Sequence, residues 1–199
     1  PSDALALGVI DFNKNTFQSF QIEKLNNKII DSTDEIFFDL ASLTKPLTNS
    51  CGAFTRLDSL SSEMSLLLNH KSSLPAWGLL GKNSWKEQLF SYKIKESNTV
   101  YSDFGALRFM LEFNKLGDDL HEVAKEIWDE KIVFWTDLSV DHRTLQNGFV
   151  NSKANFWNVH DPNAYNIKDK TSHAGLFGGV EGACTPLLNF DQKLNLLNQ

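Results

Sequence analysis

Cysteine is scarce in this chain: among 199 residues there are two, Cys51 and Cys184. They allow at most one disulfide, match no zinc-ligand spacing and form no C-x-x-C pair, so a disulfide scaffold and a zinc module are excluded. Positive charge is in deficit as well. A formal net charge of -6 argues against nucleic acid as a partner, because that binding leans on clustered Lys and Arg. No apolar run approaches the roughly 20 residues of a membrane-spanning helix. The G-x-G-x-x-G, P-loop and G-x-S-x-G patterns are absent, which removes the sequence basis for a dinucleotide fold, a nucleotide-phosphate cradle and an α/β-hydrolase elbow. His160, Asp161 and His173 carry no H-x-x-x-H or comparable ligand spacing, so no metal and no cofactor is expected. Gly175, Gly178, Gly179 and Gly182 read as residues of tight turns rather than an anion nest.

What is present is ordinary globular composition, 41% hydrophobic and 22% charged residues, enough for one domain with a real core. ALALGVIDF (4–12) and TFQSFQIEKL (16–25) read as two strands around the turn NKN, a hairpin. A loop rich in Asn, Asp, Ser and Thr follows over 26–35. Residues 57–68 read as a helix leading into the turn HKSSLPAWG. Between 101 and 128 the apolar spacing suits two helices broken near Gly117. IVFW (132–135) is a short strand or a helix end. Residues 147–182, dense in Asn, Gly, His and Asp, read as loop, and 187–197 as a final helix. His121 and His142 read as surface residues, and Cys51 as a small buried apolar one.

Two short stretches carry chemistry. In FDLASLTKPL, Ser42 and Lys45 stand three apart, so on a helix they share a face within proton-exchange reach. One reading is a capping serine with a lysine in the first turn; the other is a nucleophile and its base, since Ser-x-x-Lys is a known catalytic pair. A serine at a helix N-terminus sits in the positive end of the dipole, and a desolvated lysine one turn on can serve as base. Pro46 cannot donate to the Ser42 carbonyl, so this turn must be irregular. In YSDF, Tyr101 and Asp103 point the same way if the segment is extended, with Ser102 opposite. A tyrosine near a lysine can act as a base; alternatively Ser102 or Asp103 caps a helix.

The order of these stretches is more telling than any one of them. FDLASLTKPL, LLNHKSSLPAW, VYSDFGALRFMLE, VHDPNAY and SHAGLF, spread over about 4–190, resemble the β-lactamase-related serine hydrolases: class C β-lactamases, DD-peptidases of the penicillin-binding type and related esterases. The resemblance implies an α+β, β-lactamase/transpeptidase-like fold, in which an antiparallel sheet packs against a mainly helical lobe. The chain would be one domain, 1–199, with the N-terminal hairpin and nucleophile segment in 1–45 and the helical, loop-rich lobe in 46–199. It also implies roles. Ser42 would be the acylated nucleophile and Lys45 its proton partner. Tyr101 would be second base and leaving-group acid, and Asp103, where the family often has Asn, would position Lys45 and substrate together with His173 and Gly175. His160, Asp161 and Asn163 would shape the rim, and the Ser42 N–H would be one oxyanion donor. His70, Pro75 and Trp77 match a structural marker.

One departure stands out. The family's third motif, Lys or His followed by Thr, Ser or Ala and then Gly, lies on a late strand beside the serine. KTS (170–172) and HAG (173–175) look like it, but their neighbours match an earlier loop. The chain is therefore expected to be a shortened member, a fragment, or one whose sheet is closed by a homo-oligomeric or other partner chain. An open hairpin edge invites such pairing. The expected substrate is a small molecule or peptide: a β-lactam, a peptidoglycan-type peptide or an ester. The alternative is a catalytically silent relative that binds a ligand or partner. The opening PSDALALGVI carries no leader pattern; with a leader already removed the expected compartment is periplasmic or extracellular, and otherwise cytoplasmic.

Overall fold

The computed structural model describes residues 4–25, 28–31, 35–128, 130–145, 149–150, 153–154 and 158–194. In chain order these form β1 (Ala4–Asp11), β2 (Thr16–Leu25), β3 (Lys28–Asp31) and β4 (Phe38–Asp39). An irregular helical stretch over 41–50 leads into α1 (Cys51–Thr55), followed by α2 (Ser62–Leu68), α3 (Trp85–Ser91), α4 (Asp103–Asn114) and α5 (Leu120–Ala124). Then come β5 (Ile132–Phe134), β6 (Phe149–Val150), β7 (Lys153–Ala154), α6 (Pro162–Ile167), β8 (Leu176–Gly178) and α7 (Val180–Leu194). The architecture is α+β, and every pairing between these strands is antiparallel.

β1, β2 and β3 make one sheet in that order. Its register sets Leu5 against Ile22 and Leu7 against Phe20. The strands alternate: one face packs on α7, where Gly8 lies against the Cys184 sulfur and Val180 and Ser19 donates to Glu181. The other face leaves Leu5, Leu7, Val9 and Phe20 more than half exposed. Among the described residues, no strand pairs with the outer edge of β1.

A second sheet, β4-β8-β5, positions the Ser42 segment. Phe38 and Asp39 pair with Gly178 and Phe177, and the Leu40 N–H donates to the Leu176 carbonyl. Behind it lies a core of Ile127, Trp128, Phe134, Val159 and Phe177. A neighbouring core surrounds α4, whose Leu107, Phe109 and Phe113 meet Met64 and Leu67 of α2, Leu89 of α3 and Leu120 of α5. No helix among the described residues is long and apolar enough to cross a membrane.

Several elements differ from the sequence reading. The expected loop 26–35 contains β3, because KIID has the β-branched content to extend the hairpin into a third strand; residues 26–27 and 32–34 lie outside the described set. The helix expected over 57–68 begins at Ser62, where the Ser61 hydroxyl accepts the Met64 N–H. The expected loop 147–182 holds α6, started by the Asp161 cap and Pro162 at its first position, and the buried strand β8. The final helix starts at Val180 instead of 187, carries Pro186 in its interior, and its expected end at 195–197 lies outside the described residues. The break near Gly117 is where expected, with a left-handed φ of 101°. His121 is not a surface residue: it is buried, with Nε2 against the Thr171 carbonyl. His142 is half-buried, edge-on to Phe37. Both cysteines are buried free thiols, and burial pushes the Cys51 thiol up to about 12.

Candidate active site

Local rules shape the segment that carries Ser42. Asp39 accepts the Ala41 N–H through Oδ1 at 2.9 Å and the His160 N–H through Oδ2 at 2.7 Å, folding the chain sharply out of β4. Burial raises the Asp39 carboxyl above its ordinary range, against the pull of those two N–H groups. Ala41 takes a left-handed φ of 46°, a strained conformation for a residue with a Cβ. A 3₁₀ turn follows over Ala41–Leu43, then a π-helical stretch over Pro46–Ser50. Pro46 has no N–H for the Ser42 carbonyl, so the α-helical ladder cannot run through this turn. Ser42 is left exposed at its start, while Lys45 turns inward and is buried.

Lys45 is the hub. Its Nζ lies 3.1 Å from Ser42 Oγ, 3.0 Å from the His173 carbonyl oxygen and 2.7 Å from Asp103 Oδ1. An ammonium has three donors, and these three acceptors use all of them. On a fourth side the ring of Tyr101 stands with its centroid 4.8 Å from Nζ, a cation–π contact. Tyr101 is half-exposed and lies against His70, ring centroids 4.7 Å apart. His70 Nδ1 accepts the Ser102 N–H. Burial, together with the Lys45 charge, lowers the His70 imidazole below its usual value. Ser102 is buried and caps α4: its hydroxyl donates to the Pro75 carbonyl at 2.6 Å and accepts the Gly105 N–H at 2.8 Å. Asp103, the next residue, is thereby fixed in the first turn, aimed at Lys45.

A buried strap, 171–175, closes the other side. Thr48 Oγ1 lies 3.0 Å from the Ser172 carbonyl oxygen, and Ser172 Oγ donates to the Ala106 carbonyl. His173 is 1% exposed, and its Nε2 lies 2.8 Å from Asp161 Oδ1. Burial acts to raise the Asp161 carboxyl, but the His173 contact and the N–H groups of α6 outweigh it and hold it below the usual range. His173 thus meets Lys45 through its backbone, while its side chain anchors the strap to the α6 cap. Asn163 is buried, accepting the Leu80 N–H and donating to the Gly78 carbonyl. Gly175, at φ 115°, packs so tightly that a Cβ would stand 2.8 Å from the Phe134 ring.

Ser42, Lys45, Tyr101, Asp103 and the His173 carbonyl therefore converge. His160, Asp161, Asn163 and Gly175 hold the surrounding loops. A cleft of about 150 Å³ opens beside Ser42, lined in addition by Asn49, Ser50, Leu67, Leu68 and His70. Asn49 escaped the sequence reading, although it follows Lys45 by four residues and Ser42 by seven, the spacing of one helix face. Its Nδ2 donates to the Ala106 carbonyl, while its buried Oδ1 has no hydrogen-bond partner among the described residues.

No protein-family model matches the chain, and none of the curated proteins matches it. Among solved structures, the D-amino acid amidase from Ochrobactrum anthropi SV3, complexed with L-phenylalanine amide, superposes with a TM-score of 0.55 at 13% identity. The match covers 86% of this chain and 61% of the amidase, so the chain spans under two thirds of its structural neighbour. At that identity the likeness is one of fold alone, and it agrees with the expected α+β arrangement at that coarse level.

Proposed function

We propose that this protein is a serine hydrolase that is acylated at Ser42 by an amide, β-lactam or small ester. The observation that carries the reading is the buried Lys45 ammonium held between Ser42 Oγ and the Asp103 carboxylate. In the proposed step, Nζ passes a proton to Asp103 Oδ1 as it accepts the Ser42 hydroxyl proton. Oγ then attacks the substrate carbonyl carbon and the carbonyl π pair moves to oxygen. The Ser42 N–H stabilises that oxyanion, and the tetrahedral intermediate collapses as the bond to the leaving group breaks. The Tyr101 hydroxyl protonates the departing group, Lys45 restores the tyrosine proton, and Asp103 returns its proton to Nζ. An amide substrate agrees with the fold neighbour's being an amidase.

Acylation by a reactive probe reads the Ser42 step directly, ahead of turnover. Intact-mass measurement after exposure to a fluorescent penicillin, and separately to a fluorophosphonate, should show an adduct that Ser42→Ala lacks. A folded protein that forms no adduct with either probe refutes the reading. A second reading, a silent relative that docks a partner chain, draws on the exposed apolar face of Leu5, Leu7, Val9 and Phe20. Light scattering that finds a stable monomer would count against it.

A further inference from the structure

A second cavity, about 470 Å³, lies at the far end of the strap from Ser42. It falls within the size range of small-molecule sites, whereas the Ser42 cleft is smaller. Its inner walls are apolar and aromatic: Trp128, Ile132 and Phe134 line it, each at most 9% exposed. Two lysines, Lys125 and Lys170, stand at the rim. Lys125 donates to Glu122 at 2.7 Å. Lys170 is different. Its Nζ makes two long ion pairs, 3.9 Å to Glu122 and 3.7 Å to Asp137, neither within hydrogen-bond reach. A half-buried ammonium beside an aromatic wall, hydrogen-bonded to neither neighbouring acid, is suited to an incoming carboxylate. Asp137 and Glu130 also line this cavity and disfavour a ligand carrying more than one negative charge.

We infer that this cavity binds a compact aromatic monocarboxylate, its ring against Trp128 and Phe134 and its carboxylate on Lys170. The inference does not depend on the hydrolase reading, so it is tested on the Ser42→Ala variant. Calorimetry with 2-naphthoate should show saturable one-to-one binding. The neutral 2-naphthalenemethanol should bind about tenfold more weakly, the worth of one charge-assisted hydrogen bond. Lys170→Gln should weaken naphthoate by a similar factor, and Lys170→Arg should restore it. Amide NMR shifts on the unsubstituted rim should fall at Val133, Phe134 and Lys170. Equal binding of the acid and the alcohol, unchanged affinity in Lys170→Gln, shifts at Leu7 and Phe20 on the open sheet face instead, or no saturable binding at millimolar ligand would each overturn it.

Discussion

The contact between Lys45 and Asp103 makes a demanding quantitative prediction. The Lys45 side chain is 8% exposed and that of Asp103 16%, with 2.7 Å between Nζ and Oδ1. Breaking a buried pair by removing one partner typically costs about 3–5 kcal/mol, because the other charge is left uncompensated. Asp103→Leu leaves the ammonium two acceptors, Ser42 Oγ and the His173 carbonyl, so its loss should sit near the low end, about 3 kcal/mol. Lys45→Met strands both the carboxylate and the buried His173 carbonyl. An orphaned buried acceptor adds about 1–3 kcal/mol, which makes this variant the worse of the two. The double variant removes both charges and leaves only the carbonyl unsatisfied. Its loss should fall short of the sum of the singles by about 6 kcal/mol, about 3 for each stranded charge that the double variant no longer leaves. Asp103→Asn keeps an acceptor for the ammonium and removes only the counter-charge, so it should lose less than Asp103→Leu. Urea unfolding followed by tryptophan fluorescence measures all four. Losses that add to within about 0.5 kcal/mol would refute the pairing, and the proton path through Asp103 with it.

Two further outcomes follow from groups around the strap. Burial, only partly offset by the Thr171 carbonyl, lowers the His121 imidazole below its ordinary range. The unfolded chain therefore takes up this proton first, stability should fall as pH drops below about 7, and His121→Gln should flatten that slope in pH-resolved thermal melts. Gly175→Ala sets a Cβ 2.8 Å from Phe134 at a φ of 115°; combined strain and overpacking should cost about 2–4 kcal/mol, read as a lower melting temperature, and an unchanged melt would contradict the packing of the strap.

How far the chain could be read from its letters depended on how local each feature is. The strands β1 and β2 were legible because alternating apolar residues and the turn NKN act within a few residues. The third strand was not, because four residues of KIID sit inside a run whose Asn, Asp, Ser and Thr content signals loop. The early start of α7 was hidden by the glycines at 178, 179 and 182 and by Pro186, whose unfavourable helix propensities packing against β1 and β2 overrides. His121 read as exposed because a single histidine carries no burial signal; the strap that covers it comes from 50 residues further along.

By itself, the sequence determined what lies within one turn: the Ser42–Lys45 spacing, the irregularity imposed by Pro46, and a helix cap at Ser102 or Asp103. Covalent geometry and propensity act at that range. Tertiary structure alone decided that Lys45 would be buried and that Asp103 would face it. It also decided that a backbone carbonyl 128 residues away would take its third donor. Desolvating an ammonium is favourable only where acceptors from separate elements converge on it. That convergence is a property of how α4, the strap and the Ser42 segment pack, and no spacing along the chain encodes it.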